Sequence, residues 1–252
     1  MRLKNKIAIV TGGGAGIGRG IAERFAREGG SVVIAEIDAA EGRAAAKAIC
    51  NAGGDAAFVQ TDVSDEAQVQ SMVQQALDKY GRIDVLCNNA AVLMFHDEAR
   101  AHELTNDTWD RTMAVNLRGY WLCSKYVIPA MLRERAGSII HVASPTGLFG
   151  FTRLTAYSAS KGGVVALMRA MAADYAPDNI RVNAIVPGTI DTPMNAVLFS
   201  DPEMRKRFAG IAPARRLGTP ADLAGIAVFL ASEDSSYCVG GLFTVDGGLT
   251  AV

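Results

Sequence analysis

The feature that most constrains this chain is an alternation kept from end to end. Short β-branched runs are separated by longer segments of helical period. "KIAIVT" (6–11), "SVVIAE" (31–36), "AAFVQT" (56–61), "IDVLCN" (83–88), "GSIIHVA" (137–143), "IRVNAIV" (180–186) and "GLFTVDG" (241–247) read as strands buried on both faces. The intervening stretches 17–29, 39–52, 65–80, 108–134, 155–176 and 220–231 read as helices, with Ser64, Asp107 and Thr219 as N-cap candidates. Strand and helix in strict alternation require parallel pairing through right-handed crossovers, with helices over both faces of the sheet. The expectation is an α/β chain forming one doubly wound domain over residues 1–252, built on a seven-stranded parallel sheet. No linker, repeat or low-complexity tract divides it. The rhythm breaks at 189–216, a mixed polar and apolar insertion after the sixth strand, where such segments often cover a site.

Charge excludes several roles. With 25 basic and 26 acidic side chains there is no field to attract nucleic acid or an anionic membrane surface. No apolar run reaches membrane-spanning length and no apolar signal segment precedes the first strand, so the cytoplasm is the expected location. Cys50, Cys87, Cys123 and Cys238 lie far apart without a CxxC pair, which points to neither zinc nor a disulfide framework. His96, His102 and His141 have no metal-ligand spacing. His141 falls within a strand and reads as core, whereas His96 and His102 fall in a polar segment and read as solvated.

"VTGGGAGIGRG" (10–20) joins the first strand to the first helix. Gly12, Gly16 and Gly18 supply a tight turn, room for a pyrophosphate against the backbone, and close helix-to-strand contact, with Ile17 in the helix's first turn. Glycine spacing alone also fits an ordinary turn; its position between strand and helix selects the dinucleotide reading. Glu36, at the end of the second strand, can accept hydrogen bonds from a ribose and would repel a 2'-phosphate, although Asp38 is an alternative acceptor. Residues 13–15 hold no Lys or Arg, which favours NAD over NADP, with Arg19 as the one nearby cation.

Taken with Tyr157 and Lys161, these residues resemble the short-chain dehydrogenase/reductase family, over essentially the whole chain. "TGGGAGIG" is similar to that family's TGxxxGxG. "TDV" at 61–63 matches its adenine contacts, here Asp62 and Val63, and "NNAA" at 88–91 resembles NNAG, with Asn89 and Ala90 beside the cofactor and Ala91 in place of glycine. "VNL" carries Asn116, Ser144 stands thirteen residues before Tyr157, and "PGTIDT" at 187–192 matches the nicotinamide segment through Pro187, Gly188, Ile190 and Thr192. The resemblance implies a Rossmann-type fold, a nicotinamide cofactor and a catalytic set of Asn116, Ser144, Tyr157 and Lys161. It also implies a homotetramer in which the helices 155–176 and 108–134 pack across subunits, and a water relay from Lys161 through Asn116.

The chemistry follows from spacing. Tyr157 and Lys161 at i and i+4 share one helix face. A nearby ammonium favours the phenolate, so Lys161, together with the positive ring of the oxidised cofactor, is expected to draw the tyrosine down from its ordinary pKa of about 10. Tyr157 would then exchange a proton with an alcohol while Ser144 holds the same oxygen. Ala159, Gly163, Ala166, Ala170 and Ala173 form a small-residue stripe on the helix's other faces. Met94, Leu148, Phe149, Phe151, Met194, Leu198 and Phe208 are candidate walls of a substrate pocket, and Arg153 a candidate receiver of a carboxylate or sugar hydroxyl. The leading expectation is NAD-dependent interconversion of a secondary alcohol and a ketone on a small metabolite: a sugar, polyol or hydroxy acid. An NADP-dependent ketoreductase and a catalytically idle nucleotide-binding scaffold are the alternatives. The latter would not require all four catalytic residues.

Overall fold

In the computed structural model, which describes residues 1–251, every expected strand forms: β1 (Ile7–Thr11), β2 (Ser31–Glu36), β3 (Asp55–Gln60), β4 (Val85–Asn88), β5 (Gly137–Val142), β6 (Ile180–Pro187) and β7 (Leu242–Val245). They make one seven-stranded sheet in the order β3-β2-β1-β4-β5-β6-β7, with every pairing parallel. The order reverses between β1 and β4, so their carboxyl ends open the crevice where ligands of such sheets bind. The central strands are buried on both faces as expected. The edge strands β3 and β7 are not, because each has a neighbour on one side only.

Helices α1 (Gly16–Arg27), α2 (Ala39–Asn51), α3 (Glu66–Tyr80), α4 (Asn106–Met113), α5 (Gly119–Glu134), α6 (Thr155–Tyr175), α7 (Ala196–Phe199), α8 (Pro202–Ile211) and α9 (Pro220–Ala231) flank the sheet. Alternation along each strand divides the core. Ile9, Leu86 and Ile139 face Met72, Leu122 and Met168 on one side, whereas Val10, Ile34 and Ile140 face Phe25, Ile49 and Leu223 on the other. Burying such side chains contributes about 1.5–3 kcal/mol each before chain entropy is set against it.

Two caps differ from expectation. Asp65, not Ser64, caps α3 by accepting from Ala67 and Gln68, because the Ser64 hydroxyl donates to Asp62 at 2.6 Å. Thr105, not Asp107, caps α4. At α9 the expected Thr219 cap is present as a reciprocal box with Asp222. The helix expected over 108–134 contains a π-helical turn, Ala114–Arg118, a device that reorients side chains within a continuous rod. The 189–216 insertion contains α7 and α8, joined by an edge-on contact of Phe199 and Phe208 at 6.0 Å. No described helix is long and apolar enough to cross a membrane.

Candidate active site

The carboxyl ends of the strands border a cavity of about 610 Å³. One end is built by the glycine loop. A Cβ on Gly18 would lie 2.1 Å from the Gly12 carbonyl, so only glycine allows α1 to start this close to β1. Helix α1 has no capping side chain and no acid in its first turn, leaving its orphan N–H groups free for an anion. The Asn89 side chain braces the loop by donating to the Thr11 and Gly12 carbonyls, and the amides of Asn89 and Ala90 both donate to the Thr11 hydroxyl.

Glu36 lines the same end, and its carboxylate accepts from the amides of Gly14, Ile37 and Asp38. Asp38 lies outside the wall and is committed to capping α2 through Ala40 and Glu41, which settles the choice of acidic side chain facing the cavity in favour of Glu36. Arg19 is also outside the wall and is paired with Glu23 at 2.9 Å. Asp62 and Val63 line the cavity; Asp62 accepts from Ser64 and faces Arg111 at 3.6 Å. These contacts outweigh partial desolvation and keep the Asp62 carboxyl below its ordinary range. Gly12, Gly16, Ile17, Asn89, Ala90, Pro187, Gly188, Ile190 and Thr192 all border the same space. Ala91 borders it too, and its φ is not positive, so the alanine carries no left-handed strain.

At the other end, Ser144 follows β5 and caps a 3-10 turn, Pro145–Gly147. Its oxygen accepts from the amide of Thr146 at 3.2 Å and the hydroxyl of Thr146 at 2.9 Å, which leaves its own proton for another acceptor. Gly147 lets this turn touch α6: a Cβ there would lie 2.6 Å from the Lys161 carbonyl carbon. Tyr157 and Lys161 enter the cavity one helical turn apart, and the Lys161 Nζ lies 5.7 Å from the tyrosine ring centre.

Lys161 is 1% exposed, and Nζ donates to the Val142 carbonyl at 2.8 Å and the Tyr120 hydroxyl at 3.3 Å. Burial lowers its pKa to about 7. Burial likewise raises Tyr157 to about 12, with the charge of Glu98 adding to the rise and the Ser144 hydroxyl opposing it. The expectation that Lys161 draws the phenol down is therefore not met by the protein's own groups. Desolvation dominates, and the ammonium spends its bonds on Val142 and Tyr120.

Asn116 sits in the π turn. Its amide accepts from the Val92 N–H at 2.8 Å, and donates to the Val92 carbonyl at 2.9 Å and the Ser160 hydroxyl at 3.2 Å. Its hydrogen bonds thus clamp the segment after β4 instead of reaching Lys161. His141 is fully buried, as expected. Asn88 lies 3.2 Å from its Nδ1, its Nε2 has no partner, and burial followed by the Lys161 charge lowers its pKa to about 3. His96 and His102 are exposed.

Phe151, Met194, Leu198 and Phe208 line the cavity as expected, with Leu93, Phe95 and Leu154 beside them. Met94, Leu148, Phe149 and Arg153 do not. The Met94 carbonyl opens a turn by accepting from Asp97 and Glu98, while Leu148 and Phe149 follow the Ser144 turn out to solvent. Arg153, the expected receiver of a carboxylate or sugar hydroxyl, precedes α6 in a left-handed conformation (φ 58°), is exposed and stays outside the wall. Among the described residues, the charged side chains of the wall are Glu36, Asp62, Arg111 and Lys161. None of the described residues forms a cluster able to hold a metal ion.

Comparison with known proteins agrees with this architecture. A family model described as enoyl-(acyl carrier protein) reductase matches residues 12–250. An uncharacterized oxidoreductase of Bacillus subtilis (strain 168) is 45% identical over 99% of this chain and 93% of its own. The 2-(S)-hydroxypropyl-CoM dehydrogenase 3 of Xanthobacter autotrophicus is 38% identical over 100% of this chain and 99% of its own. A solved structure from Beutenbergia cavernae, provisionally assigned as an NAD(P) dependent gluconate 5-dehydrogenase and holding NADP at low occupancy, superposes with a TM-score of 0.93. It is 37% identical, and the match covers 99% of this chain and 98% of that one.

Proposed function

The chain belongs to the short-chain dehydrogenase/reductase family, and from that premise we propose that it is an NAD-dependent oxidoreductase interconverting a secondary alcohol and a ketone on a small metabolite. The observation that carries the reading is one cavity with an uncapped helix and glycine loop at one end and the Ser144–Tyr157–Lys161 group at the other. Gly12, Gly16 and Ile17 would hold the pyrophosphate, Glu36 the adenosine ribose, and Asp62 and Val63 the adenine, while Gly18 lies outside the wall and packs α1 against β1. Asn89, Ala90, Tyr157, Lys161, Pro187, Gly188, Ile190 and Thr192 would hold the nicotinamide half. When bound, the nicotinamide supplies the hydride acceptor or donor.

The protein's own part is proton transfer and alignment. As the phenol, Tyr157 would give its proton to the substrate oxygen in reduction; as the phenolate, which the positive ring of an oxidised cofactor beside it would favour, it would take the alcohol proton in oxidation. Ser144, its lone pairs already engaged by Thr146, donates to the same substrate oxygen and stabilises charge growing there. Lys161 changes charge near neutrality, beside the phenol. Asn116 holds the Val92 backbone that borders the reacting centre. Residues 189–216 cover the substrate through Met194, Leu198 and Phe208. Sugars, polyols and hydroxy acids are the substrates to examine; Arg153 stands outside the wall, while the relative provisionally assigned as a gluconate 5-dehydrogenase favours a hydroxy acid.

Support for NAD comes from Glu36 at the ribose end and from the wall's cations, of which Arg111 faces Asp62 and Lys161 stands beside Tyr157. The relative holding NADP favours the second reading, an NADP-dependent ketoreductase, which competition between the two cofactors distinguishes. Ala159, Ala166, Ala170 and Ala173 are exposed on α6, and with Trp121 of α5 they fit a homotetramer of 26.6 kDa chains; a light-scattering mass of one chain would exclude it. Four unpaired cysteines accord with a reducing, cytoplasmic setting. The reaction is tested by following NADH formation from NAD across secondary alcohols, sugars, polyols and hydroxy acids, with Tyr157→Phe alongside. Turnover that disappears in the variant supports the proposal. Undiminished turnover in the variant refutes the role of Tyr157.

A further inference from the structure

The helix that carries Tyr157 and Lys161 starts without a cap of its own. Leu154 precedes α6 and offers no polar side chain, which would leave first-turn N–H groups unpaired next to the reacting centre. Glu98 fills that gap from 59 residues upstream: Oε2 accepts from the amide of Ala156 at 3.1 Å, and Oε1 from the amide of Tyr157 at 2.7 Å. Glu98 is 5% exposed. A second tie lies beside it, from the Thr155 hydroxyl to the Ala99 carbonyl at 2.7 Å. Upstream, Glu98 is held by the turn beginning at Met94, in the segment that supplies Leu93 and Phe95 to the cavity wall.

An anion at a helix N-terminus, with charge-assisted bonds to two amides, is a strong fixture. We propose that Glu98 is a positioning residue for Tyr157, clamping its backbone and the substrate wall to one another and placing a negative charge beside its phenol. The inference rests on the proton-transfer role proposed for Tyr157. The groups around that phenol are Lys161 on its own helix, Ser144 beyond β5, Tyr120 from α5 behind Lys161, and His141 in β5 behind them. Glu98 is the carboxylate among them, and its charge opposes ionisation of the phenol.

Glu98→Gln keeps the shape and one acceptor oxygen but removes the charge. Thr155→Val keeps the charge and removes the second tie. In the cofactor-free protein, a phenolate absorbance titration, taken as the difference from the same protein carrying Tyr157→Phe, reads Tyr157 directly. In Glu98→Gln its midpoint should fall, and hydrogen exchange at the Ala156 and Tyr157 amides should accelerate. In Thr155→Val the midpoint should stay where it is. If Glu98→Gln fails to fold, Glu98→Asp replaces it. The shorter acid retains the charge, so exchange at the two amides should accelerate with the midpoint held high. A midpoint unchanged in Glu98→Gln, or exchange unchanged in either acid variant, overturns the proposal. Because neither readout needs a substrate, a wild-type protein that oxidises no alcohol would refute the proposed reaction while leaving these results to stand or fall separately.

Discussion

Mild acid should weaken this fold through one buried imidazole. His141 has a pKa of about 3 in the folded chain against an ordinary 6.5, chiefly because burial disfavours its charged form and secondarily because Lys161 repels it. Between those values the unfolded chain binds the extra proton. The stability is therefore complete above the ordinary pKa and is lost as pH falls toward the folded value. At about pH 5 the loss amounts to roughly 2 kcal/mol, rising toward about 5 kcal/mol as the folded pKa is approached. Geometry gives the same direction: Nδ1 faces the Asn88 amide donor and Nε2 faces no acceptor, so a second ring proton would have nowhere to bond. Carboxylates held low, such as Asp222 and Asp62, lose their contributions only as pH falls through and below their ordinary 3.8, which leaves the window near pH 5 clear of them. Urea unfolding of wild type and His141→Asn, compared at about pH 7 and about pH 5, measures the effect. Wild type should lose roughly 2 kcal/mol more than the variant across that interval. Equal losses would refute the assignment of the penalty to this ring.

Three further outcomes are expected. Tyr157→Phe should lower kcat/KM by about 10²- to 10⁴-fold while cofactor binding, followed by fluorescence titration, stays close to wild type. Gly18→Ala should destabilise the chain by about 1–3 kcal/mol in urea unfolding and weaken cofactor binding, because its methyl cannot fit against the Gly12 carbonyl. Glu36→Ala should raise the KM for NAD and narrow the NAD-to-NADP preference, since it removes both the acceptor and the charge that repels a 2'-phosphate; an unchanged preference would show that Glu36 does not select the cofactor.

Elements whose cause is local were readable from the residues. The strand runs, the glycine loop and the i, i+4 pair depend on neighbours in the chain, and all occur where their patterns put them. The missed features depend on distant partners or on a small change of winding. The π turn around Asn116 adds a residue to a turn without breaking the helical pattern, so periodicity cannot reveal it. Ser64 and Asp107 are plausible caps by type, but Asp62 engages the first and Thr105 starts the helix ahead of the second. Glu98 sits in a polar run with no motif, and only the folded chain brings it to α6. The Tyr157–Lys161 spacing correctly puts both groups on one face. It could not disclose that Val142 and Tyr120 would take the ammonium's hydrogen bonds.

The two sides of the cavity differ in what it costs to move them. Shifting the segment after β4 would break the Asn116 bonds to Val92 at one point and the Glu98 bonds to α6 at another, each anchored in buried structure. The opposite side ends in α8, which buries no residue and is held by the Asp191–Arg205 ion pair and the edge of Phe208 on Phe199. The first side is tied at more points into buried structure than the second, so if either side yields to let a ligand pass, it should be the one that ends in α8.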